Sequence, residues 1–154
     1  MKKEEYIVRL AAEEDLPTIY EIERRSFKDP YPPFFIEMLL KLNCETSLVA
    51  ENEKRVVGYL IATKDRSTGH IVSIAVLPEE RRKTVGRTLL EKALEVLRRL
   101  EVETVRLEVR RSNREAQKFY EAQGFEYNHE IVGYYGDEDA LVYYKRLALS
   151  SEKC

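Results

Sequence analysis

A single mixed α/β domain is what the 154-residue sequence predicts. Three observations lead there. Short β-branched runs over residues 6–10, 46–51, 55–63, 70–77 and 104–109 alternate or concentrate apolar residues in the manner of strands. Between them, Val85, Leu89, Ala93, Leu94, Leu97 and Leu100 recur at helical spacing and mark an amphipathic helix. The length suits one core, since a chain of about 150 residues buries roughly 70% of its unfolded surface.

In chain order, residues 6–10 form the first strand. Glu13, Glu14 and Asp15 put carboxylates where a helix dipole is positive, with Asp15 as candidate N-cap. Leu16, Ile19, Tyr20 and Ile22 share one face up to about Arg25. Pro30, Pro32 and Pro33 then fix φ and remove donors, so 27–33 cannot continue the helix. A second helix follows over about 34–42. Strands 46–51 and 55–63 flank a turn at Asn52-Glu53. A third run, 70–77, follows Gly69 and stops at Pro78. The amphipathic helix opens near Val85, and 104–109 is again a strand. Residues 114–123 form a helix that Gly124 ends in the left-handed conformation. Residues 125–135 and 140–147 close as a strand pair, with adjacent Tyr134 and Tyr135 on opposite faces. The order is β-α-α-β-β-β-α-β-α-β-β, one domain over 1–149 with a short tail, 150–154.

Composition narrows the function. Lys+Arg number 26 and Asp+Glu 28, a net charge of −2, which argues against a wholly basic nucleic-acid binder. No apolar run approaches the ~20 residues of a membrane span. The start, Met1-Lys2-Lys3-Glu4-Glu5, lacks a secretory signal's apolar stretch, so a cytoplasmic protein is expected. Cys44 and Cys154 lie far apart and only His70 and His129 accompany them, so neither a disulfide framework nor a metal site is expected. The near neutrality conceals segregation: residues 81–114 hold 11 Lys+Arg against 5 Asp+Glu.

Two stretches carry chemistry. In the first, a strand through Ser73, Ile74, Ala75 and Val76 ends at Pro78. Arg81, Arg82 and Lys83 then precede a helix opening at Thr84, Val85, Gly86 and Arg87. Unpaired N–H groups at a helix start, beside three cations, suit a polyphosphate, and Gly86 permits close approach to the backbone. The same residues also fit a solvated basic turn. In the second, Glu108 lies in an apolar strand, opposite in face to Leu107 and Val109. It either meets solvent or sits in a cleft with a raised pKa. Asn113 is a fair N-cap for the next helix. Phe119 and Tyr120 would by default be core residues, and Cys44 a packed thiol.

Together these stretches resemble the GNAT superfamily of acetyl-CoA-dependent N-acetyltransferases. Residues 73–86 look like its acetyl-CoA motif, and 107–125 like its Leu-Glu-Val-x-x-x-Asn…Tyr-x-x-x-Gly-Phe segment. Residues 69–76, Gly133-Tyr134-Tyr135, Glu138-Asp139-Ala140 and Pro30-Tyr31-Pro32 are typical of the branch that acetylates protein N-termini. That branch includes ribosomal-protein alanine and archaeal Nα-acetyltransferases. The similarity spans about 6–147.

The resemblance implies a mostly antiparallel sheet, about four flanking helices and a V-shaped cleft between two splayed strands. It implies that the backbone of Ile74, Ala75 and Val76 pairs with the pantetheine arm, with the Ile74 N–H toward the thioester oxygen. Arg81 to Arg87 would hold the pyrophosphate and Asn113 the cofactor amides. Glu108 would be the general base, directly or through water. His70 would assist it, and Tyr120 would protonate the leaving thiolate. Phe27, Tyr31, Tyr134 and Tyr135 would line the entry of a protein N-terminus, ribosomal proteins included. A monomer without metal, nucleic-acid or membrane partner is expected. One departure stands out: Thr84 occupies the place of the motif's middle glycine, where a β-branched residue resists positive φ. Competing readings are acetylation of a small amine or lysine side chain, a non-catalytic acetyl-CoA module, and RNA binding by the basic segments.

Overall fold

The computed structural model describes residues 6–81 and 84–148. The expected contacts of Arg82 and Lys83, and the tail 150–154, lie outside the described residues. The strands are β1 (Ile7–Leu10), β2 (Leu48–Asn52), β3 (Arg55–Asp65), β4 (Thr68–Val76), β5 (Thr104–Arg110), β6 (Glu126–Ile131) and β7 (Ala140–Arg146). The helices are α1 (Leu16–Ser26), α2 (Pro33–Leu42), α3 (Val85–Arg99) and α4 (Arg114–Ala122). This is the predicted order.

The strands form one sheet in the order β1-β2-β3-β4-β5-β7-β6. Every pairing is antiparallel except β4 with β5, which is parallel and brief: Thr68 faces Thr104, Gly69 faces Val105 and His70 faces Arg106. Beyond these three pairs the two strands part. The rest of β4 keeps β3 as its neighbour, and the rest of β5 keeps β7. The sheet therefore opens into a wedge in its middle.

Helices α1 and α3 cover opposite faces. Gly58 turns its Cα toward α3, where an added Cβ would meet Leu89 Cδ1 at 3.2 Å. The next residue, Tyr59, reaches Glu23 of α1. Val85, Leu89, Leu90, Ala93 and Leu97 of α3 are buried, the valine and leucines each contributing about 1.5–3 kcal/mol by leaving water. Gly69, in the parallel seam, leaves little room for a side chain, because Leu97 and Val102 would lie 3.2 Å from an added Cβ and would have to give way. On the other face Ile19, Ile22 and Glu23 of α1 are buried.

Some local expectations change. Asp15 precedes α1 but makes no capping bond to it. Its carboxylate turns back to accept from Ala12 N–H at 2.7 Å and from both Arg9 terminal nitrogens at 2.7 and 2.9 Å. The β2–β3 turn uses Glu53 and Lys54, both at positive φ, one residue later than Asn52-Glu53 suggests. Gly124 does adopt φ +89°. Strand β6 ends at Ile131, short of Tyr135, because Gly133 at φ +69° turns the chain. Tyr134 and Tyr135 consequently leave the strand and its alternation. Their rings stand edge to face, 4.9 Å apart, rather than on opposite faces.

Candidate active site

The wedge between β4 and β5 holds two joined cavities. One, of about 600 Å³, runs from Arg81 and the first turn of α3 to Tyr120. The other, of about 500 Å³, runs from Ile74 to Glu108, Tyr31, Tyr134 and Tyr135. Phe27, Ile74, Asn113, Ala116 and Tyr120 line both and mark where they meet.

In the larger cavity, Ala75 and Val85 point their side chains into the core, so only their backbone can serve the cleft. Arg81 donates from Nε to the Val76 carbonyl at 3.0 Å and from Nη2 to Ser26 at 3.2 Å. Thr84 occupies the N-cap of α3 with φ +69° and ψ 5°, and makes no side-chain capping bond. The threonine thus holds the glycine conformation itself. Gly86 has ordinary helical φ. Its missing Cβ would sit 3.7 Å from the Phe119 ring, so its smallness keeps the cleft wall low. Arg87 lies beside it, 3.8 Å from Glu91. The first-turn N–H groups of α3 have no intrahelical acceptor. With Arg81 and Arg87 they make a site that fits a pyrophosphate.

The smaller cavity is organised by Glu108. The parallel register sets His70 opposite Arg106, and β alternation puts Glu108 on the same face two residues later. His70 Nε2 meets Glu108 Oε1 at 2.7 Å, and Arg106 Nε donates to Oε2 at 3.1 Å. Tyr134 OH donates to Oε1 at 3.4 Å. Arg106 Nη2 lies 3.5 Å from His70 Nδ1, and a guanidinium can only donate, which assigns the ring proton to Nε2. The Glu108 side chain is only 9% exposed. Burial pushes its carboxyl up, but hydrogen bonds and charge from His70 and Arg106 outweigh burial and hold it below the ordinary value. The raised pKa entertained for a cleft carboxylate is therefore reversed. His70 approaches from behind, lining a separate cavity with Thr63, Asp65, Thr68 and Arg106.

Tyr120 is buried, and burial pushes its phenol well above 10. Asn113 caps α4, its Oδ1 accepting from Ala116 N–H at 3.0 Å, while lining both cavities. Tyr31, Tyr134 and Tyr135 wall the smaller cavity, with Phe27 at its junction with the larger. The Arg110 guanidinium lies 4.3 Å over the Tyr135 ring. Arg110 also pairs with Asp29 at 3.1 Å and Asp137 at 3.0 Å, tying the α1–α2 loop to the β6–β7 loop. The exposed Cys44 is not among the residues lining these cavities.

Two residues escape the sequence reading. Arg106 was available from alternation, two positions before Glu108. Glu23 lies four residues after Ile19, on the buried stripe of α1, and a carboxylate there was the signal. Both Glu23 oxygens accept hydrogen bonds, and the residue lines the smaller cavity.

Residues 16–125 match the model of the Acetyltransferase (GNAT) family. The chain is 35% identical over 155 residues to an N-alpha-acetyltransferase of Sulfurisphaera tokodaii, covering 92% of this chain and 93% of that protein. It is 34% identical over 132 residues to a putative [ribosomal protein bS18]-alanine N-acetyltransferase of Bacillus subtilis, covering 84% and 87%. The crystal structure of Ard1 from Thermoplasma volcanium superposes with a TM-score of 0.90 at 29% identity, covering 93% of this chain and 98% of that one.

Proposed function

The chain belongs to the acetyltransferase (GNAT) family, and from that premise we propose that it transfers acetyl from acetyl-CoA to the α-amine of a protein N-terminus. One observation carries the reading: Glu108, in contact with His70 and Arg106, faces a tyrosine-walled cavity that meets the phosphate-compatible cavity at Ile74 and Tyr120. The N-alpha-acetyltransferase relatives support the same substrate class.

In this reading acetyl-CoA supplies an activated acetyl group, and no acyl-enzyme is required. Arg81, Arg87 and the first turn of α3 grip the pyrophosphate. The backbone of Ile74, Ala75 and Val76, with Asn113, orients the pantetheine arm. The Ile74 N–H donates to the thioester oxygen as charge develops there. Proximity of the two substrates does most of the work.

The α-amine has a pKa near 8, so a modest base suffices. Glu108 stays ionised through the working range. It holds the incoming ammonium and takes its proton, directly or through water, when the amine attacks. His70, behind Glu108, assists by donating its Nε2–H to the carboxylate and holding it in place, and the proton that Glu108 takes passes to solvent. Tyr120, kept protonated by burial, donates to the departing sulfur. Phe27, Tyr31, Tyr134 and Tyr135 hold the first residue of the peptide, their rings apolar and their hydroxyls able to bond its backbone. The His70–Glu108 contact favours a broad N-terminal acetyltransferase of the archaeal type over one dedicated to a single ribosomal protein. We assign the protein to the cytoplasm, acting as a monomer.

The test is a peptide panel with acetyl-CoA, reading free thiol. It includes free N-termini beginning with Ser, Ala, Thr and Met, a ribosomal-protein N-terminal peptide, and Nα-blocked lysine peptides. Turnover of several free N-termini with none on blocked lysine is expected. Turnover only on lysine or on small amines would overturn the proposal.

A further inference from the structure

The loop that carries Tyr31 into the cleft is held from beneath by one buried carboxyl. Residues 30, 32 and 33 are proline, so the Tyr31 N–H is the only backbone donor between Asp29 and Phe34. It donates to Glu23 Oε2 at 3.0 Å. Glu23 is 2% exposed. Its other oxygen, Oε1, accepts from Tyr59 OH and, at 3.0 Å, from Ser73 Oγ. Those two hydroxyls are themselves 2.9 Å apart. Among the described residues no ion pair involves Glu23, so hydrogen bonds alone satisfy it. The cluster thereby ties α1, β3, β4 and the loop at one point. The Tyr31 ring, tilted against that of Phe35 with centroids 4.9 Å apart, is presented to the cavity that contains Glu108.

We propose that Glu23 is a positioning residue for the peptide substrate: through its hydrogen bond to the Tyr31 N–H it fixes the α1–α2 loop, and so the aromatic wall against which the first residue of the peptide rests. This rests on the peptide reading above, but the loop can be probed without it. The exposed ion pairs of Lys28 and Asp29 across the same loop are screened by water and salt, and hold it less firmly. A proline-rich segment with a single inward donor depends on the acceptor of that donor.

The substitution Glu23→Ala removes the acceptor. Glu23→Gln keeps one: its carbonyl can face the Tyr31 N–H while Tyr59 and Ser73 rotate their hydroxyls to accept from the amide. Two measurements are made on the full-length protein. The first is hydrogen exchange at the Tyr31 amide, the only exchangeable amide in residues 30–33. Exchange should rise about tenfold or more in Glu23→Ala and return toward wild type in Glu23→Gln. The second is steady-state kinetics. The alanine variant should raise the peptide KM about fivefold or more with acetyl-CoA KM little changed, and the glutamine variant should recover most of that loss. If Glu23→Ala fails to fold, the double variant Glu23→Leu with Tyr59→Phe replaces the buried polar pair by apolar groups and is measured in its place.

Unchanged Tyr31 exchange in the alanine variant overturns the proposal. So does a glutamine variant as damaged as the alanine one, which would mean that Glu23 acts on the ammonium through its charge. Equal rises in both KM values would indicate a general structural defect and also overturn it. A wild-type protein inactive on every peptide defeats the function reading alone, and the exchange result then decides this one.

Discussion

Replacing Thr84 by glycine should stabilise the protein without weakening its grip on acetyl-CoA. Thr84 has φ +69° at the N-cap of α3. That conformation costs an L-residue about 1–2 kcal/mol, and a β-branched side chain lies toward the upper end. Glycine removes this cost but adds about 0.5–1 kcal/mol of chain entropy in the unfolded state. The net expectation is a gain of about 0.5–1 kcal/mol, or roughly 1–4 °C in Tm for a domain of this size. The hydroxyl makes no capping bond that would be lost. Its carbonyl, which accepts from Thr88 N–H and Thr88 Oγ1, each at 2.9 Å, belongs to the backbone and survives. Calorimetric melting and titration with acetyl-CoA, run on Thr84→Gly, Thr84→Asn and Thr84→Val, give the assay. Glycine and asparagine should melt above wild type and valine below it, with glycine binding acetyl-CoA equally or more tightly. A lower Tm for the glycine variant, or an affinity loss beyond about threefold (~0.7 kcal/mol), would refute the reasoning and show the threonine to be adapted to its ligand.

Glu108→Gln should lower kcat about 100-fold and His70→Ala about tenfold with little change in acetyl-CoA affinity, and the double variant should lose most activity; wild-type turnover in both single variants would remove them from proton transfer. Because Glu108 is already ionised well below neutrality, kcat/KM should climb with pH toward the amine pKa near 8, and a pH series on Glu108→Gln should leave that limb in place. Tyr120→Phe should cut kcat about tenfold or more while the folded protein binds acetyl-CoA normally by calorimetry. Asp15 has its carboxyl lowered chiefly by the Arg9 hydrogen bonds. A lowered folded pKa gives stability that is complete above the unfolded value of about 3.9 and lost as pH falls through the folded one. Urea titrations should find Asp15→Asn about 1–2 kcal/mol less stable at pH 7, with the gap narrowing between about pH 5 and 2.

The element order was legible because period and punctuation agree along the chain. Proline at 30, 32 and 78 and glycine at 124 bound elements whose apolar spacing is already clear, and Pro33 opens α2. The misreading at 132–135 has a local cause. Apolar and aromatic residues on either side of Gly133 read as a continuing strand, whereas its positive φ makes it a turn and brings both tyrosines to one cavity. In the site, the basic segment proposed to hold the phosphates stands out in the sequence because its residues are consecutive. Glu108 was ambiguous from sequence, because solvent and cleft look alike in an alternating strand. What removes the ambiguity is the parallel register of His70 with Arg106, a contact between residues 36 apart that no local pattern encodes. Glu23 was hidden for the same reason: its donors come from β3, β4 and a loop, which meet α1 only in three dimensions.

The brevity of the β4–β5 seam gives the cleft a mechanical character. Three residue pairs act as a fulcrum, and from Gly69 to Val76 the arm of the wedge is about 23 Å at ~3.3 Å per residue. Gly69 sits at that fulcrum, where an added Cβ would meet Leu97 and Val102 at 3.2 Å. A displacement of about 0.2 Å there, acting across the ~4.8 Å between strands, swings the far end by roughly 1 Å. That is enough misalignment to cost about 100-fold in rate. Core volume behind Gly69, on the other face of the sheet, is thus expected to set the width of the cleft, and an enlarged side chain at Leu97 or Val102 to change it.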